Sequence, residues 1–292
     1  ALFKDFIKPI LDNIRQLQSG KIINTLEGEI WLIGRFGYII ADLSQGNDLA
    51  SVLRHNANYG CRTCSVSTVQ QTNYARRQLS SQYGLSAKPI LDTLYWDRHL
   101  QSLQDAYHTL AGKATRFLDI TLRYLNTNRE VAWLKYWKSI KKPARWSQMP
   151  NLLTYYHSFI FSDTLCLAML IPFILCYFLS PSYLKAEIIE YLKNIYKLTR
   201  NDYAIIKLIE LWVVEVKLLK LAFSTTMTND TYKKLCSLFE KERIGFLKIF
   251  PDIFENLPNN VNVHLPQHAH TFATLVNTSV GVKEMIHEHT KI

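Results

Sequence analysis

The chain has 292 residues, which is enough for one large domain or two ordinary ones. Hydrophobic residues make up 48% of it and aromatic residues 12%, a composition that excludes a disordered chain. Lys and Arg number 34 against 24 Asp and Glu. The resulting net charge of +10 favours polyanionic partners, nucleic acid before an anionic membrane surface, with solubility alone as the alternative.

The first part of the chain predicts one helix followed by short strands. Apolar residues recur with helical spacing over 6–17, and Gly20 predicts the end of that helix. Between 21 and 43 the chain becomes rich in Ile, Trp and Tyr and is punctuated by glycines, which predicts two or three short strands. The last of them is FGYIIADL, 36–43. We expect no further strand beyond it.

The rest of the chain predicts helices. The apolar run 164–179 is too short to span a bilayer comfortably and contains Pro172, so we expect a buried helix and no membrane partner. Prolines 251, 258 and 266 predict a loop region, and 280–291 predicts the first turns of a final helix. The other predicted helices cover about 48–54, 68–84, 103–125, 128–142, 182–199, 201–223 and 229–249.

These elements predict a predominantly α protein with a small β portion. Two architectures fit the pattern: an α/β sheet interrupted by a large all-α insertion, or an α-rich protein with one hairpin.

The segment 55–64 carries a candidate zinc site. Cys61 and Cys64 form a Cys-x-x-Cys pair, whose two thiolates can reach one tetrahedral Zn²⁺, and His55 is a third candidate ligand. The fourth ligand stays open between His99, His108 and water. The alternatives are a redox pair or two incidental cysteines. The chain has five cysteines, an odd number, which argues against a disulfide framework and favours a reducing compartment.

Asp42 ends the last predicted strand. Open α/β sheets place working residues at the carboxyl ends of their strands, so Asp42 is a candidate catalytic acid. The alternative is an Asp that caps the following turn.

Three blocks in this order resemble CACTA-type transposases and their fungal derivatives. The first is Asp42-Leu43-Ser44-Gln45, followed by Gly46, His55 and the Cys-x-x-Cys pair. The second is Asp105-Ala106-Tyr107-His108. The third combines Asn262-Val263-His264 with Asn277-Thr278-Ser279 and Glu284. Together the blocks extend over most of the chain.

The resemblance implies a DDE-type, RNase H-like catalytic domain. Asp42 would be its second catalytic acid and Glu284 its third. Three carboxylates would hold two Mg²⁺ (or Mn²⁺) ions for DNA strand cleavage and transfer, beside a structural Zn²⁺ on His55, Cys61 and Cys64. The first acid belongs on an early strand, and no segment before the first helix supplies it. We therefore expect this fragment to be incomplete and inactive.

The resemblance also implies an organisation and a setting. The predicted parts are a partial RNase H-like α/β core at 1–47, a zinc-binding segment at 48–101, an all-α insertion at 102–258 and a return to the core at 259–292. The implied partners are DNA and a homo-oligomer, and the implied location is the nucleus. We expect the Asp42 and Glu284 carboxylates to approach each other closely enough to share a metal.

Asp105 and His108 share one helical face, at positions i and i+3. One interpretation is a pair next to the active site. The other is an Asp that interacts with the helix dipole and a partly buried His.

A segment at 133–146 interleaves aromatic and basic residues. Cations can neutralise phosphates and aromatics can stack on bases, so this segment is a candidate DNA contact. The alternative is an amphipathic helix with its aromatic side chains in the core. We favour the core for Trp133 and Trp137. The residues assigned to DNA are Lys135, Lys138, Lys141, Lys142, Arg145 and Trp146.

Two other functions remain open. One is a non-catalytic zinc and DNA-binding protein of the same ancestry. The other is a helical interaction scaffold, which would hold no zinc and bind DNA no better than any cationic protein.

Overall fold

The computed structural model describes residues 3–35, 37–41, 43–49, 94, 101–126, 130–139, 158–250 and 261–281. The described part is mostly helical with a small sheet portion, as the sequence predicts. The chain divides into two compact units. The first comprises 1–105, 258–268 and 278–292, and the second comprises 106–257 and 269–277.

In the first unit, helix α1 (Phe3–Ser19) buries Leu11 from the predicted apolar stripe. Leu11 and Leu94 form a small core against which Ile39 and Leu49 also pack. Gly20 ends the helix in a left-handed conformation with φ +88°, which glycine adopts without steric cost.

Strands β1 (Lys21–Thr25) and β2 (Gly28–Leu32) form an antiparallel hairpin, with Thr25 opposite Gly28 across a two-residue turn. Gly28 follows the two turn residues and has a φ of +121°, which glycine adopts without steric cost. Most side chains of this hairpin are exposed.

Strand β3 (Ile39–Ala41) lies within the predicted third strand, and helix α2 (Leu43–Leu49) follows it. Strand β4 (Ser102–Gln104) pairs with β3 in parallel. The expectation of no further strand was therefore wrong. Three residues carry too little periodicity to separate a strand from the helix that follows, and pairing with β3 decides their conformation. Helix α2 also begins earlier than predicted.

The second unit contains six α-helices among its described residues. They are α3 (Ala106–Tyr124), α4 (Glu130–Ser139), α5 (Phe161–Phe178), α6 (Ala186–Tyr196), α7 (Asn201–Ala222) and α8 (Asn229–Ile249). Helix α7 is central, because it packs against α3, α5, α6 and α8.

Aromatic side chains fill the centre of this helical unit. The ring of Phe117 on α3 stacks on Phe246 of α8 at 4.5 Å between centroids and meets Trp212 of α7 edge-on at 5.6 Å. The indole N–H of Trp212 donates to Thr121 Oγ1 at 3.0 Å, which satisfies its buried polar atom. These contacts fix α3, α7 and α8 to one another.

Helix α5 corresponds to the apolar run that the sequence analysis assigned to a buried helix. Leu167, Ile171 and Leu175 are buried, but Phe173 and Tyr177 on the other side are exposed, so the helix is buried on one face only. Within the described residues it is also the one helix long and apolar enough to cross a membrane by length and composition.

Helix α9 (Val261–Phe272) and a 3₁₀ helix (Leu275–Thr278) follow the prolines that predicted a loop. Pro266 lies inside α9, so the loop prediction was wrong at this residue. A proline there lacks an N–H for the helical ladder, a local cost that the burial of Leu265 and Ala269 offsets.

Candidate functional site

The parallel pair of β3 and β4 brings two strand ends together in the first unit. Ala41, the last residue of β3, stands opposite Gln104, the last residue of β4. The next residues in the sequence are Asp42 and Asp105. Asp42 itself lies outside the described residues, whereas Asp105 is described. In the sequence, each strand of this parallel pair is therefore followed directly by an aspartate, at equivalent positions.

Asp105 is a buried carboxylate with a long-range partner. Its side chain is 2% exposed, and its Oδ1 accepts a hydrogen bond from the backbone N–H of Val280 at 2.8 Å. A charge-assisted bond of this kind is stronger than a neutral one and fixes the orientation of the acid. Val280 precedes Glu284 by four residues. The bond therefore ties the segment that leads to Glu284 to the end of β4.

Other polar side chains are buried in the same unit. Asn47 on α2, Gln104 on β4 and Thr278 next to Ser279 are nearly inaccessible to solvent. The Oε1 atom of Gln104 makes no hydrogen bond within the described residues. A buried carbonyl oxygen without a hydrogen-bond donor is costly for stability.

His108 lies on α3, in the helical unit, and is half-buried. Its ring meets the rings of Phe161 at 5.1 Å and Tyr107 at 5.6 Å, both edge-on. This environment supports the interpretation of a partly buried histidine. Asp105 instead lies in the first unit, immediately before α3, and accepts the Val280 N–H.

Among the described residues, no group of three or more His, Cys, Asp or Glu side chains is arranged to hold a metal ion. The zinc candidates and two predicted acids lie outside that part of the chain: His55, Cys61, Cys64, Asp42 and Glu284.

The predicted DNA segment is only partly described. Lys135 and Lys138 are exposed on α4, as a phosphate contact requires. Trp133 and Trp137 on the same helix are 1% and 4% exposed, so they are core residues, as we favoured. Lys141, Lys142, Arg145 and Trp146 lie outside the described residues.

A second buried polar cluster lies in the helical unit and was missed in the sequence analysis. Lys113 Nζ on α3 is 3.1 Å from Glu215 Oε2 on α7 and 3.5 Å from Glu242 Oε2 on α8. The three residues are 7%, 0% and 4% exposed. Neither oxygen of Glu215 makes a hydrogen bond of normal geometry, so the cluster is held by charge more than by directed bonds.

Burial dominates the protonation of this cluster. Desolvation raises the pKa of Glu215 to about 7, although the neighbouring Lys113 opposes the shift. Desolvation also raises the pKa of Glu242. For Lys113, burial alone lowers the pKa, but the charges of the two carboxylates outweigh it and the net pKa is raised. Lys113 therefore stays protonated at neutral pH, while Glu215 titrates near it.

The sequence did carry a pattern that could have found this cluster. Lys113 lies three residues after Leu110 and four before Phe117, on the apolar stripe of its helix. Glu215 and Glu242 interrupt the stripes of α7 and α8 in the same way, between Trp212 and Leu218 and between Phe239 and Phe246. A charged residue inside an apolar stripe predicts a buried ion, although not the partner that it meets.

Helix α9 contributes two further buried side chains. His264 and His268 lie one turn apart on it and are nearly inaccessible to solvent. The sequence analysis used His264 for the resemblance and did not consider His268.

Comparisons of the chain with models of protein families, with curated proteins and with solved structures find no match.

Proposed function

We propose that the chain is a transposase-derived protein whose ancestral reaction is metal-dependent DNA strand cleavage and transfer. In this proposal an RNase H-like core is interrupted by a helical body. Two features support it: β3 and β4 are parallel neighbours, and the helical unit is inserted in sequence between parts of the first unit. Parallel strands with acids at their carboxyl ends are the arrangement that an α/β active site needs.

The observation that carries the proposal is the position of Asp105. The resemblance assigned catalytic roles to Asp42 and Glu284 and left one acid of the set without a residue. Asp105 follows β4 at the position equivalent to that of Asp42 after β3. It also bonds to Val280, just before Glu284 in the sequence. We therefore assign Asp105 to the missing acid, in place of an Asp on an earlier strand.

The donor set fits the metal that the resemblance implies. Asp42, Asp105 and Glu284 would supply carboxylate oxygens, which Mg²⁺ and Mn²⁺ prefer. When bound, such ions activate the attacking oxygen and stabilise the leaving oxygen of a phosphodiester. The contribution of Val280 is to hold the Asp105 carboxylate in one orientation by its backbone N–H. Exposed Lys135 and Lys138 would contribute to binding the DNA backbone.

Binding of Mn²⁺, followed by calorimetry and electron paramagnetic resonance, tests the proposal. We expect the wild-type chain to bind Mn²⁺, and Asp42→Asn and Glu284→Gln each to weaken binding at least tenfold, because each removes one anionic ligand. Glu187→Gln is the matched control, since Glu187 is exposed on α6. A wild-type chain that does not bind Mn²⁺, or acid variants that bind like Glu187→Gln, would contradict the proposal.

Two substitutions of Asp105 distinguish a role as a metal ligand from a purely structural role, in which the side chain serves as a tether for the Val280 backbone. Asp105→Asn keeps an oxygen that can accept the Val280 N–H but removes the charge, whereas Asp105→Ala removes both. A ligand role predicts that Asp105→Asn weakens Mn²⁺ binding while the melting temperature is nearly unchanged. If Asp105→Asn binds Mn²⁺ like the wild type and only Asp105→Ala lowers the melting temperature, Asp105 is a tether.

Nicking of supercoiled plasmid DNA with Mg²⁺ then distinguishes an active enzyme from the two alternative functions. A chain that contains stoichiometric zinc and binds DNA, yet binds no Mn²⁺ and nicks nothing, is the non-catalytic zinc and DNA-binding protein. A chain without zinc, whose DNA affinity disappears as salt rises, is the helical scaffold.

A further inference from the structure

The helical unit contains more buried negative than positive charge at one point. Helices α3, α7 and α8 each contribute one ionisable side chain to the cluster of Lys113, Glu215 and Glu242. One ammonium group faces two carboxylates. If all three groups were ionised, one negative charge would remain uncompensated in the interior. Burying an ion without compensation is strongly unfavourable.

Among the described residues, the further positive charge that acts on the cluster acts on Glu242 and not on Glu215. The charged groups acting on Glu215 are Lys113 from α3 and Glu242 from α8, and the half-buried Arg243 acts on Glu242. Helices α5 and α6, which also pack against α7, contribute none. The ring of Phe239 lies 5.7 Å from Lys113 Nζ, where it interacts favourably with the ammonium group but adds no charge.

Protonation of one carboxylate removes the excess at the lowest cost. A proton on Glu215 leaves Lys113 paired with Glu242, so the cluster becomes neutral. Glu215 is the better site for the proton because it is completely buried, whereas the positive charge of Arg243 also favours the ionised form of Glu242. A protonated carboxyl also gains an O–H group that can donate a hydrogen bond.

We propose that the three side chains form a proton-binding site of the helical unit, in which Glu215 and Glu242 share one proton at neutral pH. Release of that proton to solvent leaves a buried negative charge between α3, α7 and α8 and weakens their packing. The helical unit is thereby sensitive to pH in the neutral range. This inference is independent of the strand-end acids and of the proposed reaction.

The direction of the effect follows from proton linkage. The pKa of Glu215 is about 7 in the folded chain against 4.5 for an ordinary Glu, so the folded state holds the proton where the unfolded state has lost it. The stabilisation is complete below about pH 4.5 and is lost as the pH rises through about 7. Glu242, with its raised pKa, acts in the same direction. Lys113 stays protonated throughout this range.

Urea unfolding of the full chain at pH 5 to 9, followed by circular dichroism, tests the inference. One linked proton increases the unfolding equilibrium constant by up to about tenfold per pH unit between about pH 5 and 7. Histidines titrate in the same range, so the informative quantity is the difference between the wild type and Glu215→Gln, an isosteric neutral variant. We expect Glu215→Gln to lose most of this dependence.

Glu210→Gln on the same helix is the matched control, since Glu210 is exposed and pairs with Lys207. It should keep the wild-type dependence. An equal dependence in Glu215→Gln and the wild type would overturn the inference.

Infrared spectroscopy of the wild-type chain provides a test that needs no variant. A protonated carboxyl absorbs apart from carboxylates, and ordinary Asp and Glu are ionised above about pH 6. We expect a protonated-carboxyl band at pH 6 that disappears with a midpoint near 7. Absence of that band at pH 6 would overturn the inference, whatever the stability of the variants.

Discussion

Lys113 shows how differently two replacements act on the same buried residue. Its Nζ lies within ion-pair distance of Glu215 and Glu242. Removing the lysine alone leaves two carboxylates without their cation. Replacing all three groups by apolar side chains removes every desolvation penalty at once, which is often neutral or stabilising.

We therefore expect Lys113→Met to lower the free energy of unfolding by about 3–5 kcal/mol at pH 8, because Glu215 and Glu242 must then either stay ionised without their cation or take up protons well above the ordinary pKa of a Glu. The triple variant Lys113→Met, Glu215→Met and Glu242→Met should recover most of that loss. Urea unfolding measures both. Lys193→Met, which breaks a half-exposed pair with Glu190, is the control and should change stability by less than about 1 kcal/mol. A loss in Lys113→Met no larger than in this control would show that the cluster contributes no net charge stabilisation.

Among the elements, α8 has a well-defined beginning. Thr228 Oγ1 accepts from the Thr231 N–H at 3.2 Å, and Thr231 Oγ1 accepts from the Thr228 N–H at 2.6 Å. These two bonds satisfy donors that a helix N-terminus otherwise leaves free. Helix α5 lacks such a side chain, because the residue before it is Ile160. The cap therefore fixes the first residue of α8 directly after the polar segment 224–228.

Thr228→Ala should cost about 1 kcal/mol of helix stability, since it removes the acceptor of the cap. Hydrogen exchange of the first-turn amides of α8 measures this locally, and we expect the Thr231 amide to exchange faster. Thr228→Ser keeps the hydroxyl and should behave like the wild type. Equal exchange in the Ala and Ser variants would mean that packing, not the cap, fixes this end of the helix.

At the scale of the whole molecule, the net charge of +10 determines how strongly the protein interacts with polyanions. Charge alone does not locate a binding surface. The exposed pair Lys135 and Lys138 on α4 belongs to the segment assigned to DNA, and the exposed pair Lys233 and Lys234 on α8 does not. The two pairs carry the same charge, so they separate a specific DNA-binding surface from a general attraction.

We expect Lys135→Ala with Lys138→Ala to weaken duplex DNA binding and to reduce the dependence of log K on log salt by roughly 0.9 for each phosphate that is no longer neutralised. Lys233→Ala with Lys234→Ala removes the same charge and should change the slope much less. Titrations by fluorescence anisotropy at several salt concentrations measure both. Equal slopes for the two double variants would assign DNA binding to overall charge.

The sequence by itself determined the hairpin and most of the long helices that the structure describes. These elements are signalled by patterns that extend over only a few residues, so they can be recognised without knowing the fold. Examples are the apolar stripe that buries Leu11, the glycine that ends α1 and the apolar periodicity of α3, α7 and α8. The same local reading predicted that Trp133 and Trp137 of α4 are buried, as they are. It misjudged Pro266, because burial in the tertiary structure outweighed a local helix-breaking preference.

Tertiary structure decided which distant residues meet. The pairing of β3 with β4, the bond from Val280 to Asp105 across 175 positions, and the contact of Lys113 with Glu215 and Glu242 have no counterpart in local sequence. The physical reason is that a strand, a carboxylate or an ammonium group requires a partner, but its own sequence does not specify which residue will supply it. That choice is made by packing of the whole chain, which sets the distances on which charge and hydrogen bonding depend.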